Sequence, residues 1–251
     1  MIVNADDLGR SAGVNEGIAR AHREGIVTSA TLMANAPGGA AAGTLARALP
    51  RLDVGVHLVL TFGRPLSDPA RIRSLVERDG SFPKAPEAFV GTARADAGEA
   101  LLEYRAQYGR ARELIGREPT HLDTHHWVHD EPALEDAVAR LAEETGAAVR
   151  IHGDAQRDRL RSRGIRTPDR FVRAFQHEGH VDVRSLTRVL AGIDDGVSEL
   201  MCHPGESGDA DLLATSAYAA LRPVELATLT DPAVRRALDR LEIGLATFAD
   251  L

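Results

Sequence analysis

Apolar positions along this chain fall into short runs separated by stretches of helical period, and their alternation predicts a parallel sheet. Met1 to Ala5 is an apolar run that ends abruptly at Asp6-Asp7. Val14, Ile18 and Ala21 then share one helical face, with Ser11 placed to cap the start and Gly25 to stop the end. Val27 to Met33 reads as a second strand, an alanine-rich helix runs to about Leu49, and Val54 to Leu60 is a third strand. Strand, helix, strand, helix, strand in so short a stretch is the pattern of βα units.

Residues 61–95 break the rhythm with Pro65, Pro69, Pro83 and Pro86. Within them Asp79-Gly80 is suited to turn a small hairpin between Leu75-Val76 and Phe82. An insertion directly after a strand end is where a substrate-covering loop belongs, and its apolar residues argue against a disordered excursion. The alternation resumes with a helix over 97–115, carrying Leu101, Tyr104, Tyr108, Ala111 and Ile115 on one face between Asp96 and Gly116. Thr120 to His125 is a strand. Asp130 is placed to cap a helix from Glu131 to Thr145, with Pro132 in its first turn and Gly146 beyond its end. Ala148 to His152 and Val197 to His203 are strands, Asp231-Pro232 starts the last helix, and Ile243 to Phe248 is a closing strand. Over 153–196 the pattern is least regular. There Val181 to Val183 reads as one more strand, and Arg157, Arg159, Arg161, Arg163 and Arg166 as a solvated loop.

Seven or eight strands divided by helices predict a single α/β domain over 1–251, a distorted (β/α) barrel of TIM-barrel type with 61–95 as its insertion. The alternative is an open doubly wound sheet, but Asn4-Ala5-Asp6-Asp7-Leu8-Gly9 has no G-x-G-x-x-G spacing to hold a dinucleotide. Hydrophobic residues at 43% and charged residues at 27% suit a soluble globular chain. The formal charge of −7 disfavours non-specific contact with nucleic acid or anionic lipid, so neither is expected as a partner. One cysteine, Cys202, excludes an intramolecular disulfide, and no signal-peptide or membrane-spanning run is visible. The expected setting is the cytoplasm.

The distribution of Asp and His changes the picture most. Asp6 and Asp7 end the first strand, His57 lies in the third, His125 ends the next and His203 ends a late one. In a (β/α) barrel these positions converge on one mouth, where active sites are built. Taken singly each has a structural reading: Asp6-Asp7 as a cap and a turn, His57 as a hydrogen-bonded core histidine. Alternation sets Gly55, His57 and Val59 on one face, and the glycine leaves room beside the ring. In His121-Leu122-Asp123-Thr124-His125-His126-Trp127-Val128-His129, the residues His121, Asp123 and His125 point the same way. His121 and Asp123 suit a buried hydrogen-bond ladder and His125 a ligand, while His126 and His129 fall at the rim, open to substrate contact or simple exposure. His203 sits where a strand gives way to Pro204-Gly205; Cys202 faces the opposite way as a small buried residue. Two imidazoles and one carboxylate with an open position form a catalytic divalent-metal arrangement, and zinc in such a site lowers a bound water's pKa to about 7. A second carboxylate can take the proton as water attacks a carbonyl, and an imidazolium can protonate the departing amine. Asp6, Asp7, His57, His125 and His203 fill these roles with none left over, although the two aspartates are interchangeable at this level.

Several stretches then resemble the YdjC/ChbG family of carbohydrate deacetylases. They are Val3 to Gly9, Val14-Asn15-Glu16-Gly17-Ile18, Gly25 to Ser29, Met33-Ala34-Asn35, Gly55-Val56-His57-Leu58, Thr120 to His129 and Glu199 to Gly205. Arg222 to Leu226 fits the family's Arg-x-x-Glu-Leu stretch. The resemblance implies removal of acetyl groups from N-acetylated sugars such as chito-oligosaccharides, and a homodimer. Carried over by position, it implies Asp6 as general base, His203 as general acid, and Asp7, His57 and His125 around one divalent ion, Mg²⁺ or Zn²⁺ first among the ions such donors admit. His126, Trp127, His129 and Arg222 stand as the substrate-binding set. Trp127 occupies a place where family members usually carry a further histidine. Two other readings remain at this level: a non-haem iron oxygenase built on His121-x-Asp123 and a distant histidine, and a non-catalytic sugar- or metal-binding homologue.

Overall fold

The computed structural model describes residues 1–251. Seven strands, all parallel, form one sheet: β1 Ile2–Leu8, β2 Ser29–Leu32, β3 Asp53–Leu58, β4 His121–Thr124, β5 Ala148–Val149, β6 Arg170–Val172 and β7 Ser198–Cys202. Their order is β5-β4-β3-β2-β1-β7-β6, with β1 central between β2 and β7. Every residue of β1 and β7 is buried, as expected for strands covered on both faces. On the β5 edge the Val149 N–H donates at 2.9 Å to the carbonyl of Arg166, in the segment that leads into the other edge strand, and the sheet curls into an incomplete barrel. This is the expected distorted (β/α) barrel, with seven strands.

Nine helices cover it: α1 Ala12–Glu24, α2 Gly39–Ala48, α3 Ala97–Ile115, α4 Pro132–Thr145, α5 Asp154–Ser162, α6 Val183–Leu190, α7 Ala210–Thr215, α8 Arg222–Leu229 and α9 Pro232–Arg240. The caps of the longer ones follow their sequence signals. Ser11 accepts from the Val14 N–H and Asp96 from the Glu99 N–H, while Gly116 and Gly146 close α3 and α4 at left-handed φ of 72° each.

Five expectations fail, each for a local reason. Asp130 does not cap α4; its carboxylate bonds His152 Nδ1 at 2.7 Å, and Glu131 takes the cap position without a side-chain bond. Ile243 to Phe248 is not a strand but a single bridge from Ala246 to Ile2, because Phe248 turns into a short 3₁₀ segment. Val181 to Val183 is not a strand either, since Asp182 caps α6 by accepting from the Ser185 N–H. Arg157, Arg159 and Arg161 lie in α5 rather than a loop, with Arg163 and Arg166 beyond its end: Gln156 and Leu160 face inward, and the three helical arginines pair with Asp154, Asp158, Glu135 and Asp169. Asp79-Gly80 does turn the chain, with Glu77 N–H donating to the Ser81 carbonyl at 2.8 Å, but no strands flank it.

The insertion 61–95 is ordered by its own core contacts. Ile72, Leu75, Phe82 and Phe89 are buried, and Glu103 on α3 accepts from the backbone N–H groups of Leu66 and Ser67 at 3.0 and 2.8 Å. No helix is long and apolar enough to cross a membrane.

Candidate active site

β1 delivers Asp6 and Asp7 side by side. In an unbroken strand sequence neighbours face opposite sides of the sheet. Here the β1–β2 register slips between Ala5 and Leu8, and Asp7 takes a left-handed φ of 70°. Both carboxylates consequently approach His57 of β3. His57 groups with Asp7 and His125 on one side and with Asp6 and Asp123 on the other, the ligand atoms of each group lying within 4.8 Å of one another.

His57 is held from behind by Asp123, its register partner on β4, whose Oδ1 is 2.7 Å from His57 Nδ1. A carboxylate accepts, so Nδ1 carries the proton and Nε2 presents its lone pair to the site. That Nε2 is 3.4 Å from Asp7 Oδ1 and 3.2 Å from His125 Nδ1, and the last two atoms are 3.2 Å apart. A tetrahedral ion with ligand bonds of about 2.0–2.1 Å has ligand–ligand edges of about 3.3 Å. Asp7 Oδ1 is buried without a hydrogen-bond partner, while Asp7 Oδ2 accepts from Arg222. The three donors therefore fit a divalent cation. Among the arginines, Arg150 pairs with Asp6, Asp123 and Glu199, and Arg222 pairs with Asp7. Burial works to lower the pKa of His57, but the Asp123 carboxylate and then Asp6 and Asp7 outweigh it and lift the ring to about 9, so a cation at Nε2 would bind in exchange for the second ring proton. Burial likewise opposes ionisation of Asp7, yet the Arg222 guanidinium holds its carboxyl well below the usual range.

The second group, Asp6, His57 and Asp123, already has its cation. Arg150, following β5 and fully buried, forks onto Asp6 with Nη1 and Nη2 each at 2.6 Å from a carboxylate oxygen. It also reaches Asp123 Oδ2 at 2.8 Å and Glu199 Oε1 at 2.6 Å. Burial raises the pKa of Asp6, but Arg150 prevails and brings it down to about 2, so Asp6 is ionised at neutral pH.

His203 follows β7 and faces Asp6, its Nε2 at 4.0 Å from Asp6 Oδ2. Its backbone N–H donates to Glu225 of α8, its Nδ1 lies 3.9 Å from Glu225 Oε1, and its ring meets Tyr218 edge-on at 5.3 Å. Burial lowers the pKa of His203 to about 4 against the pull of Asp6, and burial raises that of Glu225 to about 7.

Two joined cavities open onto these residues. The inner one, about 310 Å³, is lined by Asp6, Asp7, His57, His125, Trp127 and His203. The outer one, about 1000 Å³, shares Asp7, His125, His126, Tyr218 and Arg222 with it and takes Phe62, Arg64, Phe82 and Lys84 from the insertion. His126 and Trp127 reach the wall through two consecutive left-handed residues, φ 59° and 55°, a strained turn of the kind found at functional sites. The Arg173 guanidinium lies 5.1 Å over the Trp127 ring.

The five residues Asp6, Asp7, His57, His125 and His203 are thus brought together, and Trp127, His126 and Arg222 line the cavities. His129 is not at the rim: it is fully buried, bonds Thr124 Oγ1 through Nδ1 at 2.5 Å and packs on His152, outside both cavities. His121 lies away from the cation donors, stacked at 3.8 Å on Phe248 with its Nε2 on Asn4 Oδ1 at 3.0 Å, so no His121-Asp123 iron set forms. It also fills the room beside Gly55, where a Cβ would stand 2.6 Å from its Nδ1. Arg150, Glu199, Glu225 and Tyr218 were assigned no role from the sequence, although Glu199 and Glu225 lie within its family-like stretches. The signal for the first two was a lone arginine and a lone glutamate inside apolar strands, positions that demand buried partners.

The family model described as YdjC-like protein matches residues 1–240. A carbohydrate deacetylase of Geobacillus stearothermophilus is 40% identical over 99% of this chain and 96% of its own length. A chitooligosaccharide deacetylase of Serratia marcescens is 36% identical over 100% and 98%. A solved structure from Enterococcus faecalis V583, whose description names cellobiose-phosphate cleavage, is similar at a TM-score of 0.89 with 30% identity, over 99% of this chain and 97% of that one. A family 4 carbohydrate esterase from Streptomyces lividans shares the fold at a TM-score of 0.52 and 12% identity, over 98% of this chain and 90% of its own.

Proposed function

This chain belongs to the YdjC-like family, and from that premise we propose that it removes acetyl groups from N-acetylated sugars of the chito-oligosaccharide type by metal-assisted hydrolysis. The observation that carries the reading is the tripod of Asp7 Oδ1, His57 Nε2 and His125 Nδ1 at 3.2–3.4 Å from one another, beside an ionised Asp6 and a facing His203. A divalent cation held there, Zn²⁺ or Mg²⁺ first among candidates, supplies a Lewis acid for the acetamide carbonyl and acidifies a water.

The remaining work falls to the protein. Asp6 is the base that takes the water's proton, and the Arg150 fork keeps it charged and aimed. Asp123 fixes the ring of His57, and Arg222 neutralises the oxygen of Asp7 that points away from His57 and His125. As the C–N bond breaks, the amine nitrogen takes a proton from His203. Burial keeps His203 neutral at rest, so that proton has a source: the one Asp6 removes from water, delivered across the 4.0 Å between the two side chains. Atoms balance as acetamide plus water to acetate plus amine. Trp127 and His126 flank the sugar, and the insertion 61–95 covers it, since it lines the outer cavity. The reading includes a cytoplasmic setting, to which a single buried thiol, Cys202, is suited, and a homodimer that light scattering would weigh.

The test is acetate release from N-acetylglucosamine oligomers with metal analysis of the same sample. A chelator should abolish release. Asp6→Asn should keep its metal and lose at least about 100-fold in kcat, whereas Asp7→Asn should lose the metal. Full activity in Asp6→Asn would remove Asp6 as the base; no acetate from any acetylated sugar would remove the substrate class.

A further inference from the structure

The outer cavity does not end at the protein surface. It meets a second groove of about 820 Å³, and the two have four residues in common: Arg10, Phe62, Ala214 and Thr215. Across that boundary lies one side chain. Arg10 lies with its guanidinium 3.9 Å over the Phe62 ring and donates from Nη2 to Thr215 Oγ1 at 2.8 Å. It thereby joins the insertion on one bank to α7 on the other. The far groove is lined by Ser11, Ser207, Asp209 and Asp211. Ser11 and Asp209 already accept from backbone N–H groups as helix caps, so Ser207 and Asp211, both exposed, are the groups suited to sugar hydroxyls.

Arg10 is also well placed to keep this position. Its backbone N–H donates to the Asp7 carbonyl at 2.9 Å, closing a turn around Gly9, whose φ is 95°. Gly9 itself donates to Asn15 Oδ1 at 2.7 Å. The root of Arg10 is therefore fixed by the same turn that sets Asp7. Its tip is held by a stacked ring and one exposed hydrogen bond, contacts weak enough to be displaced by a ligand.

We propose that Arg10 is a specificity-determining partition: lying on Phe62 and bonded to Thr215, it closes the distal end of the substrate cleft and limits the length of saccharide that fits. The proposal rests on the deacetylase reading above. An outer cavity of about 1000 Å³ is at the upper end of the roughly 300–1,000 Å³ of small-molecule sites, room for a short oligomer but walled at Arg10. Removing the wall joins it to the far groove and creates further sugar positions.

The experiment compares wild type with Arg10→Ala and Arg10→Lys on N-acetylglucosamine oligomers from dimer to hexamer. Acetate release gives kcat/KM. Calorimetric binding of the same oligomers in an Asp6→Asn background gives affinity without turnover. Wild type should favour the dimer over the pentamer. In Arg10→Ala the pentamer-to-dimer ratio should rise about tenfold in both measurements, with the dimer changing less than about threefold. Arg10→Lys, which keeps the charge but cannot lie flat on Phe62 while reaching Thr215, should follow Arg10→Ala. An unchanged ratio in both variants, each melting like wild type, overturns the proposal. So does a wild type that takes pentamer as well as dimer, or an Arg10→Lys that behaves as wild type, since Arg10 would then read charge. A wild type that cleaves and binds none of the oligomers fails the deacetylase reading instead.

Discussion

His57 owes its usefulness to a residue outside the cavities. Asp123 is fully buried, yet its Oδ1 decides which imidazole nitrogen faces Asp7 and His125. Asp123→Asn can turn an amide hydrogen toward that nitrogen and also weakens the pairing with Arg150. Loss of such a partner should weaken metal affinity by about 10–100-fold, measured by competition with a chromogenic chelator; unchanged affinity would remove Asp123 from the orienting role. At this scale the sequence was generous with ligands and silent about their supports. Asp7, His57 and His125 announce themselves as polar residues at strand ends, but Arg150 does so only as an oddity in an apolar run. Its three acidic partners, Asp6, Asp123 and Glu199, come from three different strands, so no local spacing links them.

At the scale of elements, α1 and the turn after β7 meet through glycines. A Cβ on Gly17 would stand 2.4 Å from Gly205 Cα and 2.8 Å from its nitrogen, backbone atoms with nowhere to go. In an open helix Gly→Ala gains about 0.5–1 kcal/mol; here the clash should reverse the sign. Gly17→Ala should lose about 1–3 kcal/mol in a urea melt, and activity should fall with it because Gly205 is two residues beyond His203 in the same turn. A stabilised variant would show that the helix can shift freely. Element types were legible where a cap and a periodic face agreed, as in α1, α3 and α4. They failed where an arginine-rich face hid two inward positions, Gln156 and Leu160 of α5, and where a strand had only three residues, as in β6; the expected strand from Ala148 is present but ends at Val149.

At the scale of the whole molecule, the insertion 61–95 belongs to the core as much as to the cleft. Glu103 holds its first turn by accepting from Leu66, Ser67 and the Gln107 amide. Arg94 ties its far end to the carbonyls of Ser74 and Val76 at 2.9 and 2.7 Å. Glu103→Ala leaves those donors unpaired and should cost about 1–3 kcal/mol. Trypsin should then cut first within 61–95, at Arg71 or Arg73, and KM for oligomers should rise more than kcat falls. First cleavage elsewhere would mean that the segment is held by other contacts.

The sequence by itself determined the alternation of strands and helices, the barrel class, and the five residues that meet at its mouth. It did so because burial on both faces imposes apolar runs, and because a charged or imidazole side chain at a strand end survives only with a partner or a task. Tertiary structure alone decided the rest. The bulge at Asp7 turned adjacent aspartates toward one ring, a register pairing set Asp123 behind His57, and Arg150 on Asp6 with Arg222 on Asp7 Oδ2 left Asp7 Oδ1 open to a cation. Those outcomes depend on distances between strands far apart in the chain, and only the folded sheet sets such distances.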